Sequence, residues 1–178
     1  PWAKFSCINT AHYINYDTGI NNLFHGRDIF MPTEILHGLY DGGHGAGLKD
    51  YWDMMMANPR CAGGFLWDLM DQGVVRTDKN NYVDCMGNFG ADGIVGPHAE
   101  KEGSYYTIKE VWCPVQLTWN DVEKGELTLS NQYNFVNLKD CRFSYRLLQM
   151  PAMGSFQVKV LKQGNLSSPD VAPGKEAQ

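Results

Sequence analysis

Asp28-Ile29-Phe30-Met31-Pro32-Thr33-Glu34 and Gly63-Gly64-Phe65-Leu66-Trp67 are short apolar runs, each read as a buried strand. Between them, Leu48-Lys49-Asp50-Tyr51-Trp52-Asp53-Met54-Met55-Met56 reads as a helix, and Tyr105-Tyr106-Thr107-Ile108-Lys109-Glu110-Val111-Trp112 adds another helical turn or two. Strand, helix, strand, helix is the order of an α/β segment with parallel strands. After Pro114 the apolar period changes to two: Leu127 and Leu129, then Cys141, Phe143, Tyr145 and Leu147, then Phe156, Val158 and Val160. This alternation predicts half-buried antiparallel strands, with turns at Lys124-Gly125, Asn137-Leu138-Lys139-Asp140 and Gln163-Gly164-Asn165. The chain thus divides into an α/β part, residues 1–113, and the beginning of a β-sandwich, residues 114–178. About four strands are legible in the second part, against the roughly seven of a complete Ig-like sandwich. Ser167-Ser168-Pro169-Asp170-Val171-Ala172-Pro173-Gly174 reads as a linker.

The composition narrows the function. With 15 Lys+Arg against 20 Asp+Glu, the 178 residues carry a net charge of -5, which lacks the basic field that attracts nucleic acid or an anionic membrane. Hydrophobic residues at 43% and charged residues at 20% suit a chain that buries a core. No apolar run approaches the roughly 18 to 20 residues that a membrane-spanning helix needs. Cys7, Cys61, Cys85, Cys113 and Cys141 are odd in number and widely spaced, without a C-x-x-C pair, and read as mostly buried free thiols. Pro1-Trp2-Ala3-Lys4-Phe5 has neither an initiator Met nor the pattern of a signal peptide, so processing or truncation is the expected origin of this terminus.

A few residues stand where chemistry is done. Glu34 closes an apolar run and His37 follows three residues later; a carboxylate at the C-terminal tip of a parallel strand lies at the open mouth of an α/β barrel. An exposed glutamate is the commoner meaning of that position. Trp67 ends the next run, where an indole offers a platform to a sugar ring, although tryptophans are more often core residues. Asp68 and Asp71 are placed either to accept hydrogen bonds from hydroxyl groups or to cap the following turn. Leu39 to Lys49 is glycine-rich but matches no phosphate-loop pattern, so it reads as a loop lining a pocket mouth. The five histidines, His12, His25, His37, His44 and His98, lack the spacing of a catalytic zinc site. Asn165-Leu166-Ser167 fits a glycosylation sequon by pattern alone.

Taken together, these segments resemble glycoside hydrolase family 2, the β-galactosidase family. Met31-Pro32-Thr33-Glu34-Ile35-Leu36-His37-Gly38 is similar to the family's strand-seven segment, in which the Glu is the catalytic nucleophile. Cys61-Ala62-Gly63-Gly64-Phe65-Leu66-Trp67-Asp68-Leu69-Met70-Asp71-Gln72 resembles its G-G-F-x-W-D-x-x-D-Q segment closing strand eight, the most specific of the matches. Phe89-Gly90-Ala91-Asp92-Gly93-Ile94-Val95 is similar to F-x-x-[ND]-G-[IL]-V, which contributes sugar and cation contacts, and Glu102 to Trp112 resembles the last helix. His12-Tyr13 corresponds to the family's strand-six tyrosine, at a different spacing from the nucleophile.

The implied fold is the C-terminal portion of a (β/α)8 TIM barrel, strands six to eight and the last helix, followed by part of an Ig-like antiparallel β-sandwich. A complete barrel takes about 250 residues, so residues 1–113 supply only its final third or so. The implied activity is that of a retaining exo-β-glycosidase, with terminal β-galactosyl residues as the favoured substrate. β-Glucuronidase or β-mannosidase specificity on the same fold, or a non-catalytic carbohydrate-binding homologue, are the alternatives; a β-sandwich adhesion module ranks last because it leaves the α/β part without a purpose. The resemblance makes Glu34 the nucleophile with Tyr13 donating to it, gives His37 and Asp92 to sugar hydroxyls, sets Trp67 against the sugar ring and makes Phe89 a pocket wall. Asp92 stands where the well-known members carry Asn, which leaves a Na, Mg or Ca ion open as its partner; no other cofactor is implied. The family's general acid/base glutamate follows an asparagine, and this chain has no Asn-Glu dipeptide. Expected partners are a β-linked oligosaccharide or glycoside, the remainder of the same enzyme and further copies in a homo-oligomer, with no nucleic acid. Open strand edges predict that the 178 residues alone do not fold stably.

Overall fold

Ala3–Phe5 (β1) and Ile8–Thr10 (β2) open the chain as an antiparallel pair, and Ile29–Phe30 (β3) joins β2 in parallel after the helix Tyr16–His25 (α1). The computed structural model describes residues 3–5, 7–38 and 47–178. Leu39 to Ala46, most of the glycine-rich stretch expected at a pocket mouth, lie outside the described residues. Two compact units divide the chain, Pro1–Trp112 and Cys113–Gln178.

In the first unit the run from Asp28 to Glu34 is a strand only at β3 and then continues as a hydrogen-bonded ribbon. Pro32 explains the interruption, because it has no N–H to give to a ladder. Met31 and Thr33 donate their backbone N–H to Asn9 and Ala11 on one side, at 3.0 and 2.7 Å. Ile35 donates to Phe65 on the other side at 2.8 Å, and Ala62 returns a bond to Phe30 at 2.9 Å. Isolated parallel bridges at His12–Glu34, Phe30–Cys61, His37–Trp67 and Met70–Val95 carry the arrangement sideways. The expected strand at Gly63–Trp67 is reduced to such bridges. Gly64 has its backbone against Pro32, whose Cγ would lie 3.0 Å from an added Cβ, so the segment is shaped by close approach as well as by pairing.

Leu48–Met56 (α2) covers the stretch whose sequence reads as a helix, and it buries Leu48, Met54 and Met55. Met54 and Met55 join Ala11, Ile14, Phe30 and Ile35 in one core, with Tyr51, Cys61 and Leu66 against it. The Tyr51 hydroxyl donates to the Ile14 carbonyl at 2.8 Å, which ties the helix to the segment following β2. Val74–Arg76 (β4) and Tyr82–Asp84 (β5) form an antiparallel hairpin, and Gly103–Val111 (α3) buries Ser104 and Ile108.

In the second unit Val115–Asp121 (β6) pairs with Glu126–Asn131 (β7), and Phe143–Gln149 (β8) pairs with Lys159–Leu166 (β9), both antiparallel. Glu176–Ala177 (β10) adds to the free side of β7. The described residues therefore form a mostly β chain with few helices and open sheets.

Five expectations need correction here. Gln163-Gly164-Asn165 is not a turn but part of β9, since Gly164 lets the Tyr145 ring lie across it, where an added Cβ would sit 2.9 Å from Cε1. Phe156 lies outside any strand and is exposed, in the connection between β8 and β9. The β8–β9 ladder is exposed along most of its length rather than half-buried, because a two-stranded sheet has no second layer of its own to lie against. Nor are residues 167–174 a linker: Val171 is buried, its carbonyl accepts from Leu138 at 3.1 Å, and Gly174 donates to Asn131 at 2.8 Å. The thiols are free, as read, but Cys7 is exposed and the other four are only partly covered.

Candidate active site

Glu34 is set at its place by the backbone. Its carbonyl accepts the Tyr13 N–H at 2.9 Å, and the next residue, Ile35, is fully buried in the core. Tyr13 and Leu36 both adopt positive φ, 51° and 52°, and these local reversals lie beside Glu34, one on the paired segment and one two residues further along its own. The Glu34 side chain keeps 20% of its surface open, with His12 Nδ1 at 3.5 Å from Oε1. The Tyr13 side chain also hydrogen-bonds Glu34. Partial burial first, then this hydrogen bond and the charges of Glu34, Asp92 and Asp68, push the Tyr13 phenol well above its ordinary value. Tyr13 therefore remains a neutral O–H donor to the carboxylate throughout the neutral range.

A second group adjoins the first through rings. Tyr13 and His37 lie 5.8 Å apart between centroids, and His37 stacks on Trp67 at 6.4 Å and 28°. Trp67 Nε1 donates to Asp92 Oδ2 at 3.0 Å, His37 Nε2 stands 3.5 Å from the same oxygen, and Gln72 Nε2 donates to it at 3.4 Å. Gly93, the residue after Asp92, can only be glycine: a Cβ would stand 2.3 Å from the Asp71 nitrogen. Its N–H donates to Asp71 Oδ1 at 2.8 Å, so Asp71 fixes this loop.

Asp92 is 3% exposed and its Oδ1 has no partner among the described residues; the same is true of the buried Oδ1 of Asp68. Burial first, and then the Asp92 charge, push the Asp68 carboxyl up. Two buried carboxylate oxygens without donors fit a hard cation, which takes oxygen ligands. Among the described residues no group of three or more His, Cys, Asp and Glu could hold a metal, so Asp92 and Asp68 would supply only part of a coordination shell.

The structure thus brings Tyr13, Glu34, His37, Trp67 and Asp92 into one chain of contacts. Phe89 stands apart from it: its ring is 61% exposed and lines a pocket of about 370 Å³ with Gln72, Val74, Asp84, Cys85 and Met86. The sequence does not mark Gln72 as a partner of Asp92, nor His12 as a neighbour of Glu34. The parallel alternation of β2 and β3 is the one signal that could have paired His12 with Glu34. Chemically, a carboxylate with donors on both sides and a ring-lined acidic recess beside it can attack an electrophilic carbon and hold hydroxyl groups.

No protein-family model matches the chain. Several curated β-galactosidases match part of it, as a fragment of a large β-galactosidase would. One from Pectobacterium atrosepticum is 30% identical over 100 residues, covering 50% of this chain and 10% of that protein. One from Priestia megaterium is 28% identical over 127 residues, 65% of this chain and 12% of the relative. One from Aeromonas hydrophila is 24% identical over 134 residues, 67% of this chain and 13% of the relative. The chain spans about a tenth of the length of the curated relatives it matches.

Proposed function

We propose that this chain is the nucleophile-bearing part of a retaining exo-β-galactosidase. The observation that carries the proposal is Glu34, partly open to solvent, flanked by Tyr13 and His12, with the His37–Trp67–Asp92 group reached through the Tyr13 ring. The likeness to β-galactosidases supports the substrate. The parallel bridges linking the segments around His12, Glu34, Trp67 and Val95 support the C-terminal portion of a (β/α)8 barrel as their setting. Residues 114–178 then supply strands of the β-sandwich that follows.

In this reading Glu34 attacks the anomeric carbon while a second carboxyl group, about 5 to 5.5 Å away and supplied by other polypeptide, protonates the departing oxygen. The glycosyl ester on Glu34 is then hydrolysed by water, which the same second group activates as base. Tyr13 holds the carboxylate and stays protonated while it does so. Trp67 faces the apolar side of the sugar, and His37 and Asp92 take its hydroxyl groups. A cation bound through Asp92 Oδ1 and Asp68 Oδ1 would fix hydroxyl orientation electrostatically.

Glu34→Gln in the longest polypeptide that carries this chain tests the proposal. Hydrolysis of an aryl β-galactoside should fall by on the order of a thousandfold or more, with the thermal unfolding curve unchanged. Near-normal turnover would remove Glu34 from its role.

A further inference from the structure

Three hydrogen-bonding groups beside Glu34 fix each other's polarity. The Thr33 hydroxyl stands 2.9 Å from the Ala11 carbonyl oxygen, which only accepts, so the single Thr33 O–H proton is used there. The Thr33 Oγ1 lone pairs are what remain for His12 Nδ1, 3.4 Å away. A hydrogen bond at that distance therefore requires the proton to sit on His12 Nδ1. The same nitrogen faces Glu34 Oε1 at 3.5 Å. The Glu34 carboxylate, which only accepts, selects the proton on the same nitrogen, so both neighbours favour one tautomer.

We infer that His12 is a positioning residue for the Glu34 carboxylate, held by Thr33 in the form that carries its proton on Nδ1 and shares that proton between Thr33 Oγ1 and Glu34 Oε1. This rests on the reading of Glu34 as nucleophile. The order of the chain makes it possible: β2 and β3 run parallel, Thr33 N donates to the Ala11 carbonyl at 2.7 Å, and the His12–Glu34 bridge continues the same register. Consecutive residues 33 and 34 thus meet consecutive residues 11 and 12 across the pair. The Tyr13 ring, edge-on to His12 at 4.6 Å, limits rotation of the imidazole. Tyr13 and His12 then approach the carboxylate as two separate donors, which together set its rotamer and the direction of its attacking lone pair. Contacts of 3.4 and 3.5 Å are long for hydrogen bonds, and catalytic contacts of this kind shorten when substrate arrives.

The test compares two substitutions in the longest polypeptide that carries the chain. His12→Asn keeps an N–H near the position of Nδ1; His12→Leu keeps bulk and removes the donor. With an aryl β-galactoside, His12→Leu should lower kcat about tenfold with KM within about twofold, and His12→Asn should recover most of that loss. Equal impairment by both substitutions, a loss confined to KM, or no loss in either would overturn the inference. Glu34→Gln serves as the reference. If it retains activity, the nucleophile reading falls and this inference with it; if it is silent while His12→Leu is unimpaired, only the role of His12 falls.

Discussion

The Pro1–Trp112 unit and the Cys113–Gln178 unit hold themselves together by different means. In the first, Phe30, Ile35, Leu48 and Met55 are at most 1% exposed, and residues 31–38 and 61–72 run in bridges and single hydrogen bonds rather than long strands. In the second, the two main ladders are long, each with a single register shift, yet Leu117, Trp119, Leu147 and Leu161 are 52–60% exposed, and Leu138 and Val171 are its buried hydrophobic residues. Burial fixes irregular chain in the first unit, whereas backbone pairing and one buried amide organise the second. That amide is Asn131, 1% exposed: it donates to the Val136 and Val171 carbonyls at 2.9 and 2.8 Å and accepts from Tyr133 N at 3.0 Å. Irregular but buried chain suits a site, because side chains such as Glu34 are aimed by a rigid core immediately behind them.

The sharpest way to break this comparison is Ile35→Ala. Removing a fully buried side chain next to Glu34 should cost about 3 to 4 kcal/mol, visible as lost amide-exchange protection in the first unit and little change in the second. A loss shared equally by both units would end the distinction. Asn131→Ala should cost about 2 kcal/mol within the second unit, because the Val136 carbonyl and the Tyr133 N–H lose their partner and the Val171 carbonyl is left with Leu138 alone. If β10 keeps its protection in that variant, the amide is not what holds the tail.

The smallest expected effect concerns Asp68. Its carboxyl is raised in the folded chain, so the folded state keeps that proton longer than the unfolded state does. The resulting penalty is absent below the unfolded value, near 3.9, and grows as pH rises through the folded one. Asp68→Asn should therefore gain thermal stability over the parent on going from pH 3 to pH 8, and a pH-independent difference would contradict it. The β4–β5 hairpin has the opposite sign. Asp84 is held low first by the Met86 N–H and then by Arg76, and Asp78 by Arg76, so their contribution is present above the unfolded carboxylate value and is lost as pH falls.

Much of the site was legible because its residues lie at the ends of short apolar runs. Glu34, His37 and Trp67 are marked by where the runs stop, and α2 by its helical spacing. Asp92 was marked only by the motif around it; nothing in its own sequence spacing says that three donors converge on one of its oxygens while the other stays bare. Helix α1 and the β4–β5 hairpin went unread because their segments mix polar and apolar residues without a dominant period. The β9 error had a similar origin: Gln163-Gly164-Asn165 has the composition of a turn, and only the Tyr145 ring across the strand makes a glycine there a strand residue.

By itself the sequence determined where apolar runs begin and end, the change of period near Pro114 and the chemical identity of the groups at the run ends, because these depend on local spacing alone. The tertiary structure decided which of those groups meet. The parallel register that sets Ala11 and His12 against Thr33 and Glu34, the recess that buries Asp92, and the return of the last residues onto β7 all join segments far apart in the chain. Such pairings are selected by backbone hydrogen bonding and burial acting on the whole unit, and no short stretch of residues contains that information.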